Sequence, residues 1–508
     1  MALTSVTYNT LKIAPFEMRI HEVMLIKRVN DHGRLTFTGI IPEEKEDQYI
    51  MMASEQTVVE LKHVDENGND KTLFHGKILK LNVKVEKGIY WLEAEAISHS
   101  YDMDIGLVNR AFQDKTMTIE KVLKDVSAPY HAIINNTFSE PKQLGNFTLQ
   151  YQETDWQFMK RMASHYHAPL ITLASRDSIG VYLGIPDYQD YGEIKATHYR
   201  VYKDLKTFQS LGDPKQTGLS DQDFICYEVV MDQVLELGDQ VTFKNQKLHV
   251  FEVKTEMNRG VLTHTYVLCQ RKAGYQKVQF NTKIVGASIQ GKVAAVVRDQ
   301  VKVKLDYDHE WNLGKAHLFP YSTMYASEDQ TGWYAMPEVG DDIRINFPSA
   351  KEGDGIAISS VRKRLPQEAG SNSSSSQGQT RTIHTTVVKQ EKLQPIIHYD
   401  QETKEDLQVD PNTKYLMTST GQKITFKPDR IVISSGGGAS ITLTNAGTVL
   451  LDCNSLLTLK TNGRIEMSGE IITMVANQIE MSTEEGLGSL KIDEGQVLIK
   501  GVEMLMDK

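Results

Sequence analysis

Pairs of apolar residues that flank a single position return about every eight residues through the last hundred residues of this chain. The pairs are Ile424/Phe426, Ile431/Ile433, Ile441/Leu443, Val449/Leu451, Leu457/Leu459, Ile465/Met467, Ile472/Met474, Ile479/Met481, Leu490/Ile492 and Val497/Ile499. A separation of two places both members of a pair on one face of a β-strand. Asn, Gly, Thr, Ser and Asp fill the gaps, as in Thr444-Asn445-Ala446-Gly447 and Thr461-Asn462-Gly463, so the tract reads strand, turn, strand, turn. Each strand is too short to bury its own apolar face, so copies must stack into a solenoid or an intertwined β-prism. The tract has the character of a shaft, with a repeated mechanical unit and little variety of chemistry.

The length of 508 residues implies several domains. Hydrophobic residues at 40% and charged residues at 24% are ordinary globular values. A net charge of −10 without any Lys/Arg-rich run argues against a nucleic-acid binder. Cys226, Cys269 and Cys453 lie far apart and read as buried small residues rather than a disulfide framework or a zinc motif. Met1-Ala2-Leu3-Thr4-Ser5-Val6-Thr7 carries no signal-peptide pattern, and no run of 18 apolar residues suits a membrane-spanning helix.

Residues 1–105 read as strands with turn punctuation, including a hairpin turn at Asp65-Glu66-Asn67-Gly68-Asn69. Ile119, Val122, Leu123 and Val126 form a helical stripe closed by Pro129. A second helix opens at Thr154 with Gln157 completing a capping box, and buries Phe158, Met159, Met162, Ala163 and Tyr166 before Pro169. Strands resume over 201–275. About five short strands over 280–365 suit a small closed barrel of the OB type. Residues 366–400, with Ser373 to Ser376 in a row, read as a linker, and 401–508 as the shaft.

This order of a β-rich hub, a small barrel, a linker and a repetitive β shaft resembles the VgrG spike proteins of type VI secretion. It is equally similar to the joined hub and needle of contractile phage tails and phage-derived injection particles. Tyr151, Glu153, Thr154, Asp155, Phe158 and Arg161 resemble the hub signature of that family. Trp333 with Met336-Pro337-Glu338-Val339-Gly340-Asp341 is similar to its Trp…Pro-x-Val-Gly segment, and Gly353-Asp354 to the Gly-Asp before its last barrel strand. Leu237-Gly238-Asp239 and Phe74-x-Gly76 fit hub positions. His165-Tyr166-His167-Ala168-Pro169 departs from the family, which has Glu-Gly-Ile there. Unlike relatives armed with a lysozyme or effector domain, this sequence resembles the minimal form.

The resemblance implies a mainly β homotrimer with hub-like barrels at 1–105 and 201–275, a small α/β insertion at 106–200, an OB-fold barrel and a triple-stranded β-helical needle. It implies a spike and baseplate hub that punctures a target membrane without catalysis. Implied partners are two further copies, inner-tube and baseplate proteins, a PAAR-like tip protein and effector cargo. The protein is then made in the bacterial cytoplasm without a signal peptide and delivered in an injection particle outside the cell or into a target cell.

Glu153 and Asp155 invite an acid/base reading as paired carboxylates. They are better read as structural, Asp155 in the first helical turn and Glu153 anchoring the turn or pairing with Arg161. His165 and His167, two apart, would diverge on a helix and could share a metal only on an extended segment. The shaft tip lacks a His-x-His pair, so no tip metal and no other cofactor is expected. Gly436-Gly437-Gly438 lacks the Lys-Ser/Thr of a phosphate loop and reads as a turn. The expected dry core of the shaft comprises Ile431, Ile433, Ile441, Leu443, Val449, Leu451, Leu457, Leu459, Ile465, Met467, Ile479 and Met481. The alternatives are a β-helical cell-wall or glycan hydrolase and a trimeric adhesin fibre.

Overall fold

The computed structural model describes residues 11–64, 70–187, 189–196, 198–212, 217–258, 260–324, 332–361, 412–418, 420–482, 489–493 and 496–500. The expected linker at 366–400 and the turn at 65–69 lie outside them. The described chain is mainly β.

Strict alternation builds the first half of the hub. In Arg34–Ile41 the side chains of Leu35, Phe37 and Ile41 point into one core while the residues between them face outward. Leu262, His264, Tyr266 and Leu268 do the same in Val261–Cys269. Two barrels were expected within one hub, at 1–105 and 201–275. Their strands lie on one hydrogen-bonded path running from Leu11–Ala14 at one end to Tyr199–Lys203 at the other. The join is the antiparallel pairing of Arg19–Arg28 with Gln246–Asn258, where Arg28 faces Glu252 and Met24 faces Glu256. Lys27 is buried at this join and its ammonium lies 2.6 Å from the Glu236 carboxylate. Two cores nevertheless persist on the shared path, one around Phe37 and Phe74, the other around Phe243 and Tyr266.

Burial also sets a pH response in this hub. His264 is packed inside, its Nδ1 2.7 Å from the Thr255 hydroxyl, and burial pushes its imidazole down to about 4. A depressed imidazole adds stability that is fully present above its ordinary value of about 6.5 and is lost as pH falls toward the folded value. His264→Asn should therefore shrink the drop in melting temperature between about pH 7 and about pH 4.5. An unchanged drop would show that other groups carry the acid response.

The α/β segment packs Ile119–Ser127 and Asp155–Ser164 against the sheet Leu170–Thr172, Gly180–Leu183 and Ile133–Asn136. Ile119, Val122, Leu123 and Val126 are all buried, as their spacing predicts, together with Phe158, Met159, Met162 and Ala163. Tyr166 falls just beyond the helix, where it still packs against this core and stacks on Phe138. Thr154 caps the second helix by accepting from the Gln157 backbone N–H at 3.1 Å.

Five strands form the small barrel, in the order Leu318–Pro320, Gln300–Leu305, Ser288–Val297, Asp342–Asn346 and Ile356–Val361. The sheet closes where Tyr321 bridges Ala357, with the Ser322 N–H donating to the Ala357 carbonyl at 2.8 Å. Its core does not stop at the barrel. It takes in Ala111, Phe147 and Leu149 from the α/β segment, and Tyr415 and Met417 from the start of the shaft.

The shaft begins inside the barrel region. Gly332–Tyr334 pairs with Lys414–Met417, and Lys423–Phe426, Arg430–Ser434, Ser440–Thr444 and Val449–Asp452 follow as an antiparallel meander. Gly436 and Gly438, at φ of 76° and 92°, make the turn expected of the glycine run. A separate sheet joins Gln478–Ser482, Ser489–Asp493 and Gln496–Lys500. Between Cys453 and Asn477 the chain forms no strand, so Leu457/Leu459, Ile465/Met467 and Ile472/Met474 are not paired as the periodicity suggests. The earlier strands are each templated by the one before, back to Gly332–Tyr334. A segment with no neighbouring ladder in its own chain has nothing to satisfy its backbone groups as a strand.

Candidate functional site

Two features concentrate the residues singled out by sequence: a buried ionic junction between hub and barrel, and an apolar face on the shaft. The junction grows from the turn between strand Thr148–Glu153 and helix Asp155–Ser164. Both carboxylates of this turn are buried, and each is committed to a different arginine. Glu153 takes Arg161 from two sides, with Nε 2.9 Å from Oε1 and Nη2 2.8 Å from Oε2. Arg161 also donates Nη2 to the Leu149 carbonyl at 2.8 Å, and its guanidinium lies 5.1 Å from the Phe158 ring centre.

Its remaining arm, Nη1, reaches Glu352 of the barrel at 2.5 Å. Burial alone would lower the Arg161 pKa, but Glu352 and Glu153 more than compensate and hold the charged form. A fully buried guanidinium thus ties the hub signature to the short helix Glu352–Asp354. That helix carries the Gly353-Asp354 pair. A Cβ on Gly353 would sit 2.1 Å from the Asn146 amide nitrogen, while Asn146 Oδ1 accepts from the Phe147 N–H at 2.8 Å. Asn146 is exposed, so its side chain can swing away from an added methyl by giving up that bond. Gly353→Ala should therefore cost at most about 1 kcal/mol, the worth of one hydrogen bond, and nothing further in an Asn146→Ala background; a larger loss in a denaturant titration would show that Asn146 cannot move aside.

Asp155 is held by Arg110 Nη1 at 2.5 Å, by Gln150 Nε2 at 2.8 Å and by the Tyr130 hydroxyl at 2.9 Å. Burial and the Asp155 carboxylate push the Tyr130 phenol up to about 12. Tyr151 offers its carbonyl to Asn281 Nδ2 at 2.7 Å, which adds a second tie to the chain entering the barrel. Phe158 stacks on Phe112 with centroids 5.7 Å apart.

Pro337 is buried, and the loop after it is stapled to the barrel by Gly340 N–H donating to the Val293 carbonyl at 2.8 Å. Asp354 is exposed and accepts from Ser349 Oγ at 2.6 Å. Trp333 is absent from the barrel core and stands on the first strand of the shaft sheet. The sequence did not mark Glu352, Arg110, Gln150 or Tyr130; the position of Glu352 immediately before Gly353-Asp354 was the only local signal.

The histidines of the departing segment part company. His167 has φ of +57°, stacks on Tyr275 at 4.3 Å and sets Nδ1 2.9 Å from the Gln276 carbonyl. Among the described residues, the group of three or more possible ligands that converges is Asp125, His309 and Glu310, which contains neither histidine. Lys121 spans its two carboxylates, so that cluster is already compensated in charge.

The shaft face follows from register. Trp333, Leu416, Ile424, Ile433, Ile441 and Leu451 stand directly opposite one another across six strands. Phe426, Ile431, Leu443 and Val449 form a parallel row beside them. Ile433, Ile441, Leu443 and Leu451 are about two-fifths exposed in the single chain, at 41%, 40%, 39% and 45%. On the other face Tyr334, Tyr415, Thr425 and Thr442 are buried, while Leu450, next in that row, is 39% exposed. In the last sheet Ile479 faces Ile492 and Met481 faces Leu490.

No protein-family model matches the sequence, and no curated protein matches it. Among solved structures, the E. coli c3393 protein, described as a type VI secretion component similar to T4 phage tail proteins gp27 and gp5, matches at 12% identity and a TM-score of 0.48. That match covers 69% of this chain and 99% of the other. The half-lidded Francisella PdpA–VgrG complex matches at 9% identity and a TM-score of 0.47, over 87% of each chain. The 43 kDa tail protein of prophage MuSo2 from Shewanella oneidensis matches at 9% identity and 0.40, over 53% of this chain and 98% of that one. The chain is thus similar to a type VI secretion component, a VgrG complex and a phage tail protein.

Proposed function

We propose that this protein is the homotrimeric spike and baseplate hub of a contractile injection machine, and that its work is mechanical. The observation that carries this reading is the shaft sheet, one face of which is lined by two continuous rows of half-exposed apolar side chains. An apolar surface of that extent on a rod demands a partner. Three copies around one axis bury the rows in a common dry core and leave no long free edge. The unpaired tract from Cys453 to Asn477 gains in the same assembly the neighbouring strands that its own chain does not supply.

Force delivered at the hub reaches the shaft through the Arg161 junction and the shared barrel core, so no catalytic residue is needed. Glu153 and Asp155 are both consumed in ion pairs, which removes the carboxylate pair on which a hydrolase reading would rest. In this reading inner-tube and baseplate proteins contact the hub, a PAAR-like protein caps the shaft, and effector cargo travels with the spike. The chain is made in the bacterial cytoplasm and leaves it within the particle to breach a target membrane. Light scattering coupled to gel filtration tests the assembly: a mass near three times the 57.4 kDa chain is expected. A stable monomer would overturn it.

A further inference from the structure

The hub carries a pair of thiols that sequence separation conceals. Cys226 and Cys269 lie 43 positions apart, yet Ile225–Met231 pairs antiparallel with Val261–Cys269 in a register that sets them directly opposite. Opposed residues of antiparallel strands have Cα atoms about 4.5–5.5 Å apart. That lies inside the range of about 4.4–6.8 Å that a disulfide bridges. Cross-strand partners also share a face of the sheet, so the two sulfurs meet rather than diverge. Both cysteines are free and buried.

The row continues on either side, with Tyr202 opposite Cys226 and His249 opposite Cys269. Tyr202 belongs to Tyr199–Lys203, which ends the strand path and is largely exposed. Opening of this outermost strand is the local event that admits a small oxidant.

We propose that Cys226 and Cys269 form an intrachain cross-strand disulfide when the folded protein meets a small-molecule disulfide such as oxidised glutathione. Contact with the Cys269 thiol holds Cys226 below the ordinary thiol range, while Cys226 and burial push Cys269 above it, so Cys226 is the first nucleophile. The Cys226 thiolate attacks one glutathione sulfur, forming a mixed disulfide and releasing one glutathione thiol, which takes up the proton Cys226 lost. Cys269 then attacks the Cys226 sulfur, the second glutathione leaves with the Cys269 proton, and the protein has lost two electrons and two protons to the oxidant. The new bond closes a loop that contains Gln240–Phe243 and Gln246–Asn258. It therefore restricts the unfolded chain and stiffens the half of the hub built on those strands. This inference rests on register alone and stands whether or not the shaft is trimeric.

The test uses the reduced full-length protein incubated natively with oxidised glutathione. Remaining thiols are then alkylated in denaturant and the peptides mapped by mass spectrometry. The expected result is a linked Cys226–Cys269 peptide, loss of alkylation at both positions and a raised melting temperature, all reversed by dithiothreitol. Cys226→Ser and Cys269→Ser should each abolish the linked peptide and the rise in melting temperature. The Cys453 adduct reports that the oxidant was active. Full alkylation of Cys226 and Cys269 beside a modified Cys453, or a Cys226–glutathione adduct that never closes, would overturn the proposal.

Discussion

Arg161→Met is expected to destabilise the hub–barrel junction by about 3–5 kcal/mol, because removing one partner of a buried ion pair strands the others. Here two carboxylates would be stranded, Glu153 and Glu352, both within a few per cent of full burial. Methionine matches the length of the arginine stem, so packing on Phe158 is largely kept and the loss reports charge and hydrogen bonding. Arg161→Lys should recover little, since a single ammonium cannot serve Glu153 from two sides, Glu352 and the Leu149 carbonyl together. Adding Glu153→Gln and Glu352→Gln to Arg161→Met should restore part of the stability, because the stranded charges are gone. Urea titration of the four proteins decides it. A loss below about 1 kcal/mol for Arg161→Met, typical of an exposed ion pair, would mean that the junction is solvated and transmits little.

Ile441→Asp should break the shaft assembly. Ile441 sits next to the end of the longer apolar row, between Ile433 and Leu451 on its two neighbouring strands. Ile441 is 40% exposed in the single chain, so assembly buries only that remainder, about 1 kcal/mol. The larger cost is the unpaired carboxylate that each copy would place in the proposed dry core beside two others. A total near 3 kcal/mol per chain weakens association by more than about a hundredfold per contact. Lys460→Glu, on an exposed side chain, should leave the mass unchanged. Light scattering at matched concentration separates the cases. Equal behaviour of the two variants would mean that the rows do not meet at the trimer axis.

Much of the architecture was legible in the chain, for a reason visible at particular residues. Alternation in Arg34–Ile41, the stripe at Ile119, Val122, Leu123 and Val126, and the cap at Thr154 are local patterns, and local patterns survive into the fold. The apolar pairs from Ile424 to Leu451 likewise predicted both the strands and the face they share. The expectation failed where strands needed neighbours from afar. Leu457/Leu459, Ile465/Met467 and Ile472/Met474 have the same spacing but no ladder in their own chain. That the strands of both hub halves share one path was equally hidden, because it depends on Arg28 pairing with Glu252, 224 positions away.

The sequence by itself determined the alternating faces, the helix boundaries, the turn glycines and the repeat of the shaft, because each depends on residues within a turn or a strand length. Only the tertiary structure decided that Arg161 answers to Glu352 as well as Glu153 and that Trp333 starts the shaft rather than filling the barrel. It also decided that Cys226 faces Cys269. Those facts depend on register and on the approach of distant segments, which a one-residue slip would change while leaving every local pattern intact.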